Sequence, residues 1–188
     1  MPAWIPGLLP LTIVTLVAVG AAGCAGTPPT AVARDWPLVA ITEHDVTVAL
    51  RATVDTAGQT WMSATFTPTR AGFHLYAKEL PRDGLSGIGR PTLLEVSPDG
   101  PLTARGALVA DGQPEPLHVE ALNLSFPVYP AGPVTLRLPV AVVPGTARRA
   151  TLLVTYLACS DSVCLAPVTR KPILVTLPDA YLPKSHGA

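Results

Sequence analysis

Cys159 and Cys164 are separated by Ser160-Asp161-Ser162-Val163 and lie between two apolar runs, one ending at Ala158 and the other resuming around Ile173. Two thiols at that spacing can form a structural staple, cycle between dithiol and disulfide, or join a histidine in holding a soft metal. The preceding segment, Ala150 to Tyr156, is rich in β-branched and aliphatic residues and is predicted to be a strand. Ser160-Asp161-Ser162 is turn-forming, because these short polar side chains bond the local backbone in competition with regular structure. The pattern therefore predicts a β-hairpin with a cysteine on each side of its turn, near enough for a disulfide. Closing so small a loop restricts the unfolded chain by only about 2 kcal/mol. A hairpin tip, however, is open to an incoming thiolate. Staple and redox couple both stand on the residues alone.

The third chemistry is the weakest. His44, His74, His118 and His186 are scattered, with no pair at metal-ligand spacing, so a copper or zinc set of Cys159, Cys164 and His74 is set aside and no metal is expected. Gly84-Leu85-Ser86-Gly87-Ile88-Gly89 has the spacing of neither a phosphate loop nor a nucleophile elbow, and reads as a loop. Paired carboxylates at useful spacing are absent from the sequence. The 13 Lys and Arg balance 13 Asp and Glu, with no basic cluster beyond Arg148-Arg149 and Arg170-Lys171. Nucleic-acid binding needs a basic face to displace counterions and is not expected.

The elements that must position the cysteines are strands. From His44 to Val54 the chain alternates, with Val46, Val48, Leu50, Ala52 and Val54 on one face. Further strands are predicted over 60–67, 72–79, 91–97, 134–142, 151–158 and 172–177. Long helices are excluded by the frequency of proline and the lack of a 3.6-residue apolar stripe. Seven or eight short alternating strands predict an all-β fold, an immunoglobulin-like antiparallel β-sandwich. Pro139 should mark an edge or a bulge, since it cannot donate to a ladder. Segments 82–89 and 98–116 are expected to be loops. One domain is predicted over 36–180, with 181–188 as a C-terminal tail.

The remaining cysteine, Cys24, follows an apolar stretch over residues 7–19 and the small residues Gly20-Ala21-Ala22-Gly23. That is the length and order of a signal-peptide core and cleavage region, and short for a membrane span of roughly 20 residues. A cysteine directly after the small residues resembles the lipobox of bacterial lipoproteins, whose thiol is lipidated and becomes the mature N-terminus. No Lys or Arg precedes the core, and Ala21 stands where that family usually has Leu. A plain secretory signal and an uncleaved anchor are the other readings. The lipoprotein reading gives a signal peptide over 1–23 and a flexible tether over 24–35 from lipidated Cys24, attached to a bacterial membrane on its extracytoplasmic side. Cys159 and Cys164 are then the only thiols left, and outside the cytosol two lone cysteines are normally paired.

Three stretches carry a further resemblance. Val154-Thr155-Tyr156-Leu157-Ala158-Cys159, followed by Cys164-Leu165-Ala166-Pro167, resembles the signature of the N-terminal periplasmic domain of the thiol:disulfide interchange protein DsbD. There a Thr-Tyr-Gln-x-Cys strand end precedes Cys-x-Pro-Pro. Ala71 to Lys78 is similar to that domain's Gly-aromatic-x-Leu-Tyr strand, and Val128-Tyr129 leading into 134–140 is similar to the strand after its cap loop. The likeness spans about residues 36–178. Leu157 replaces the usual Gln, Ala166 the first Pro, and His74 a Tyr.

The resemblance implies an immunoglobulin-like sandwich whose Cys159/Cys164 dithiol relays electrons between thioredoxin-like proteins, with no cofactor beyond that redox-active disulfide. It implies a free-standing, lipid-tethered version of the domain. Its partners would be separate thioredoxin-like proteins and a membrane thiol transporter of DsbD or CcdA type. His74 and Tyr76 would lie beside the sulfurs, and a cap loop within 120–126 would cover them through Leu122 or Phe126. Cys164 would bond the partner and Cys159 resolve. The other reading is a non-catalytic, membrane-tethered β-sandwich binding module with a structural disulfide.

Overall fold

A computed structural model describes Met1, residues 33–143 and residues 148–181. The expected signal segment beyond Met1, Cys24, the tether as far as residue 32 and the tail beyond Tyr181 lie outside the described residues. The strands are, in chain order, β1 (Arg34–Glu43), β2 (Val46–Val54), β3 (Thr60–Pro68), β4 (His74–Leu75), β5 (Leu93–Val96), β6 (Leu102–Ala104) and β7 (Val109–Ala110). They continue with β8 (Glu115–Val119), β9 (Leu124–Val128), β10 (Val134–Val142), β11 (Arg149–Tyr156), β12 (Ala158–Cys159) and β13 (Val168–Thr176). Only two short 3-10 turns, Glu120–Leu122 and Asp179–Tyr181, interrupt this all-β order among the described residues. No helix among them is long and apolar enough to cross a membrane.

Two antiparallel sheets form the immunoglobulin-like sandwich. One runs β1-β2-β3-β10-β6, with β7 also on β10, and the other runs β13-β11-β5. The period-two pattern decides which side chains meet between them, because successive residues on a strand face opposite ways. Val46, Val48, Leu50 and Ala52 of β2, and Leu136 and Val140 of β10, are all but inaccessible to water. They pack with Leu152, Val154 and Tyr156 of β11 and with Ile173 and Val175 of β13 in one continuous core. Tyr156 stands edge-on to Phe66 at 5.6 Å, and its hydroxyl donates to the Glu43 carbonyl at 3.1 Å, tying the two sheets.

Several sequence expectations are revised here. β1 begins at Arg34, which pairs with Val54, so the expected tether ends before residues 34 and 35. Its half-exposed face blurs the alternation. The β1–β2 turn is His44-Asp45, both at positive φ, a two-residue hairpin geometry that these residue types tolerate better than most. Pro139 is neither at an edge nor at a bulge: it faces Trp61 on inner strand β10. It is accommodated because the other side of β10 changes partner there, β7 pairing up to Arg137 and β6 from Val140. Segment 98–116 holds β6, β7 and the start of β8 rather than a bare loop. Tyr181 is no tail residue: it is 3% exposed, donates from its hydroxyl to the Trp61 carbonyl at 3.1 Å and meets Trp36 edge-on.

Candidate functional site

The site is built at one end of the sandwich by two short antiparallel pairs, β4–β12 and β8–β9. Cys159 pairs with His74, and Ala158 with Leu75. On the other side of β4 the chain bridges to β9: the Tyr129 N–H donates to the Leu75 carbonyl and the Ala77 N–H to the Pro127 carbonyl, both at 2.8 Å, around a Tyr76–Val128 bridge. Residues 74–77 therefore lie between the cysteine strand and the β8–β9 hairpin. Thr92 fixes the Tyr76 backbone by donating to its carbonyl from N–H (3.1 Å) and hydroxyl (2.7 Å).

Cys159 and Cys164 are joined by a disulfide across the tip of their own hairpin. The tip is closed by the Ser160 N–H, which donates to the Val163 carbonyl at 2.8 Å. The Ser160 hydroxyl oxygen accepts from the N–H groups of Ser162 (3.3 Å) and Val163 (3.2 Å), which is how a serine sets a turn. The two half-cystines differ in environment. Cys159 is 2% exposed, whereas Cys164 is exposed.

The Cys159 side is packed by a second apolar cluster that includes Tyr76, Leu80, Phe126, Val128 and Leu157. The Tyr76 hydroxyl lies 3.5 Å from Cys159 Sγ and, the sulfur having no proton in a disulfide, is the donor. Tyr76 is held edge-on between His74 (ring centroids 6.0 Å) and Phe126 (5.5 Å). Burial pushes the Tyr76 hydroxyl above its ordinary pKa, so it stays protonated and able to donate. Burial pushes the His74 imidazole down, with Asp161 opposing in part, and His74 Nε2 is buried without a hydrogen-bond partner.

All six expected site residues of this domain line one cavity of about 440 Å³: His74, Tyr76, Leu122, Phe126, Cys159 and Cys164. They enter it differently. Phe126 is 1% exposed and forms part of the site's apolar packing, while Leu122 is 42% exposed on the 3-10 turn at the hairpin tip. The expected cap loop is thus the end of a regular hairpin, with Asn123 at positive φ closing the turn, and it leaves Cys164 open. Bonded to each other, the two sulfurs are not thiolate ligands, and no group of three His, Cys, Asp or Glu among the described residues is placed to hold a metal.

Comparison with family models and with curated protein sequences finds no match. Solved structures do match. The N-terminal domain of DsbD from Neisseria meningitidis, in its reduced form, is 17% identical over 84% of this chain and 94% of its own, with a TM-score of 0.43. The N-terminal periplasmic domain of ScsB from Proteus mirabilis is 14% identical over 76% of this chain and 51% of its own, with a TM-score of 0.45.

Several residues of the site escaped the sequence. Ile88, Leu117, His118 and Val119 also line the cavity. Gly89 lies against the buried face of Tyr76: at φ +85°, a Cβ there would come within 2.8 Å of Leu80 Cδ2 and 3.3 Å of Tyr76 Cε1. The signal available was the glycine spacing of 84–89, which marks a tightly folded loop but not what the loop packs on.

Proposed function

We propose that this protein carries out thiol–disulfide exchange outside the cytoplasm, passing electrons through Cys159 and Cys164 between thioredoxin-like partners. The observation that carries the reading is the asymmetry of the disulfide: one half-cystine open at a hairpin tip, the other buried against a tyrosine hydroxyl beside a cavity. Exchange requires a thiolate to approach one sulfur in line with the bond while the other sulfur leaves. Cys164 is the sulfur a partner can reach.

In the accepting direction, a partner thiolate attacks Cys164 Sγ. The Cys159–Cys164 bond breaks, its electron pair passes to Cys159 Sγ, and a mixed disulfide joins Cys164 to the partner. The partner's second thiolate then attacks its own mixed-disulfide sulfur. That releases oxidised partner and leaves the Cys159/Cys164 dithiol, two electrons and two protons richer. Donation to a client runs in reverse, with Cys164 attacking the client disulfide and Cys159 resolving. Tyr76 supports the leaving sulfur by hydrogen bonding. Electrons would come from a membrane thiol transporter of DsbD or CcdA type, and a lipid on Cys24 would hold the domain beside it.

Trapping with a single-cysteine thioredoxin-like partner tests this. Cys159→Ser should accumulate a mixed disulfide through Cys164, and Cys164→Ser should trap little. The reverse pattern would exchange the roles. No trapping with either variant would favour the non-catalytic binding module with a structural disulfide.

A further inference from the structure

His74 is the buried polar side chain on this cavity that the electron relay does not use. It faces Cys159 across the β4–β12 pair, and such cross-strand neighbours point the same way with Cβ atoms about 5 Å apart. It is 8% exposed, it lines the cavity that holds the disulfide, and its Nε2 has no partner while the disulfide is intact. A buried ring nitrogen left unpaired costs free energy, about 1–3 kcal/mol for a typical group, and such a group is worth asking what it serves. The sulfur opposite is neutral and a poor acceptor in the disulfide. It becomes a strong one when it takes the electron pair of the broken S–S bond.

We propose that His74 is a positioning residue for exchange, donating from Nε2–H to the Cys159 thiolate that forms when Cys164 is attacked. The proposal rests on the exchange function above and adds a second donor to Tyr76. Breaking the bond places a full negative charge where the disulfide had none, on a sulfur whose residue is 2% exposed and belongs to the same apolar cluster as Phe126 and Leu157. A thiolate there is unstable unless donors converge on it. Tyr76 supplies one at 3.5 Å, and His74 supplies the other by carrying its ring proton on Nε2. Electrons balance within the exchange step itself, since the histidine only shares its proton. The same pair of donors keeps Cys159 deprotonated for the resolving attack.

The other titratable groups around His74 are few. Cys159 comes from β12, Tyr76 from its own strand and its continuation, Asp161 from the cysteine turn, and His118 and Glu120 from the β8–β9 hairpin across the cavity. Asp161 favours a charged imidazole and burial opposes it, so neutral His74 is the form that must act near neutral pH.

The test is the pH profile of alkylation at Cys159 in the full chain with Cys164→Ser, read by mass spectrometry of the peptide that carries Cys159. Adding His74→Phe keeps a ring but no donor. It should move the midpoint up by about one pH unit, a tenfold loss of thiolate below the midpoint. Adding His74→Gln instead, which restores an N–H donor, should recover most of that shift. An unmoved midpoint with His74→Phe would overturn the proposal. Should His74→Phe fail to fold, the unsubstituted protein decides. The His74 imidazole midpoint, followed by NMR, should rise when the disulfide is reduced, and equal midpoints in the two states would overturn the proposal. Neither readout involves a partner protein, so a failure here is distinct from a failure to trap mixed disulfides.

Discussion

Tyr76 is where packing and chemistry coincide in this molecule. Its ring is part of the apolar cluster beneath the cysteine hairpin, and its hydroxyl is the one side-chain group hydrogen-bonded to Cys159 Sγ among the described residues. The two roles can be separated by removing a single atom. Tyr76→Phe keeps the edge-on contact with Phe126 and should leave stability within about 1 kcal/mol, the net value of one neutral hydrogen bond. Hydrogen bonds to a charged acceptor are worth about 1.5–3 kcal/mol. Losing one as Cys159 leaves should slow reduction of the disulfide by a small dithiol about tenfold or more. Stopped-flow reduction kinetics beside a urea titration would check both numbers. Equal slowing and destabilisation would mean that the hydroxyl serves folding alone. Tyr76 and His74 were legible only through the family resemblance, which implies two such residues beside the sulfurs; nothing in the spacing of the chain itself singles them out. The strand end at Cys159 and the turn before Cys164 favour a packed and a rim position, as found, but the sequence does not show which elements make the difference. That difference comes from the β8–β9 hairpin and the 77–92 loop, which are remote in sequence.

The β8–β9 hairpin is the element that gives the site its wall. Its two apolar residues expected to cap the sulfurs hold unlike positions, and truncating each should have unlike effects. Phe126 is buried beside Tyr76, so Phe126→Ala should cost about 3–5 kcal/mol and raise the alkylation rate of Cys159 in the reduced protein. Leu122 is largely exposed, so Leu122→Ala should change stability by less than about 0.5 kcal/mol. Urea midpoints and site-resolved alkylation rates measure both. The hairpin was hard to see in the sequence for a physical reason. Glu115–Val119 and Leu124–Val128 cover one small site instead of filling the main core, so only Phe126 and Val128 are fully buried and no alternation stands out. Strands β2, β3 and β10 were legible because each lays a full row of apolar side chains into the core.

At the scale of the whole molecule, the sandwich is a platform that holds the β4–β12 pair at one end. Its two sheets are locked by side chains distant in sequence, and Tyr181 is the most C-terminal of them. The hydroxyl reaches Trp61 on β3 and the ring meets Trp36 on β1. Burial raises the Tyr181 pKa well beyond the ordinary tyrosine value, so the hydroxyl stays a donor at any physiological pH. Tyr181→Ala should therefore cost about 3–5 kcal/mol in a urea titration, in the range of other large aromatic truncations. Because the site lies on other strands, the folded fraction should keep the accessibility of Cys164 unchanged. A single tyrosine between Pro178 and Pro183 gives no periodic signal, so the sequence predicts a tail where the structure has an anchor.

The central claim is that the Cys159–Cys164 disulfide is exchangeable rather than a staple, and its reduction potential tests this most directly. Structural disulfides typically lie below about −300 mV, and exposed, functional ones above that value. Equilibrating the protein with defined ratios of reduced to oxidised glutathione or dithiothreitol, with the cysteine state read by mass, gives the potential. The open position of Cys164 predicts a value above about −300 mV, with both redox states folded. A value below about −300 mV, or unfolding on reduction, would contradict the account.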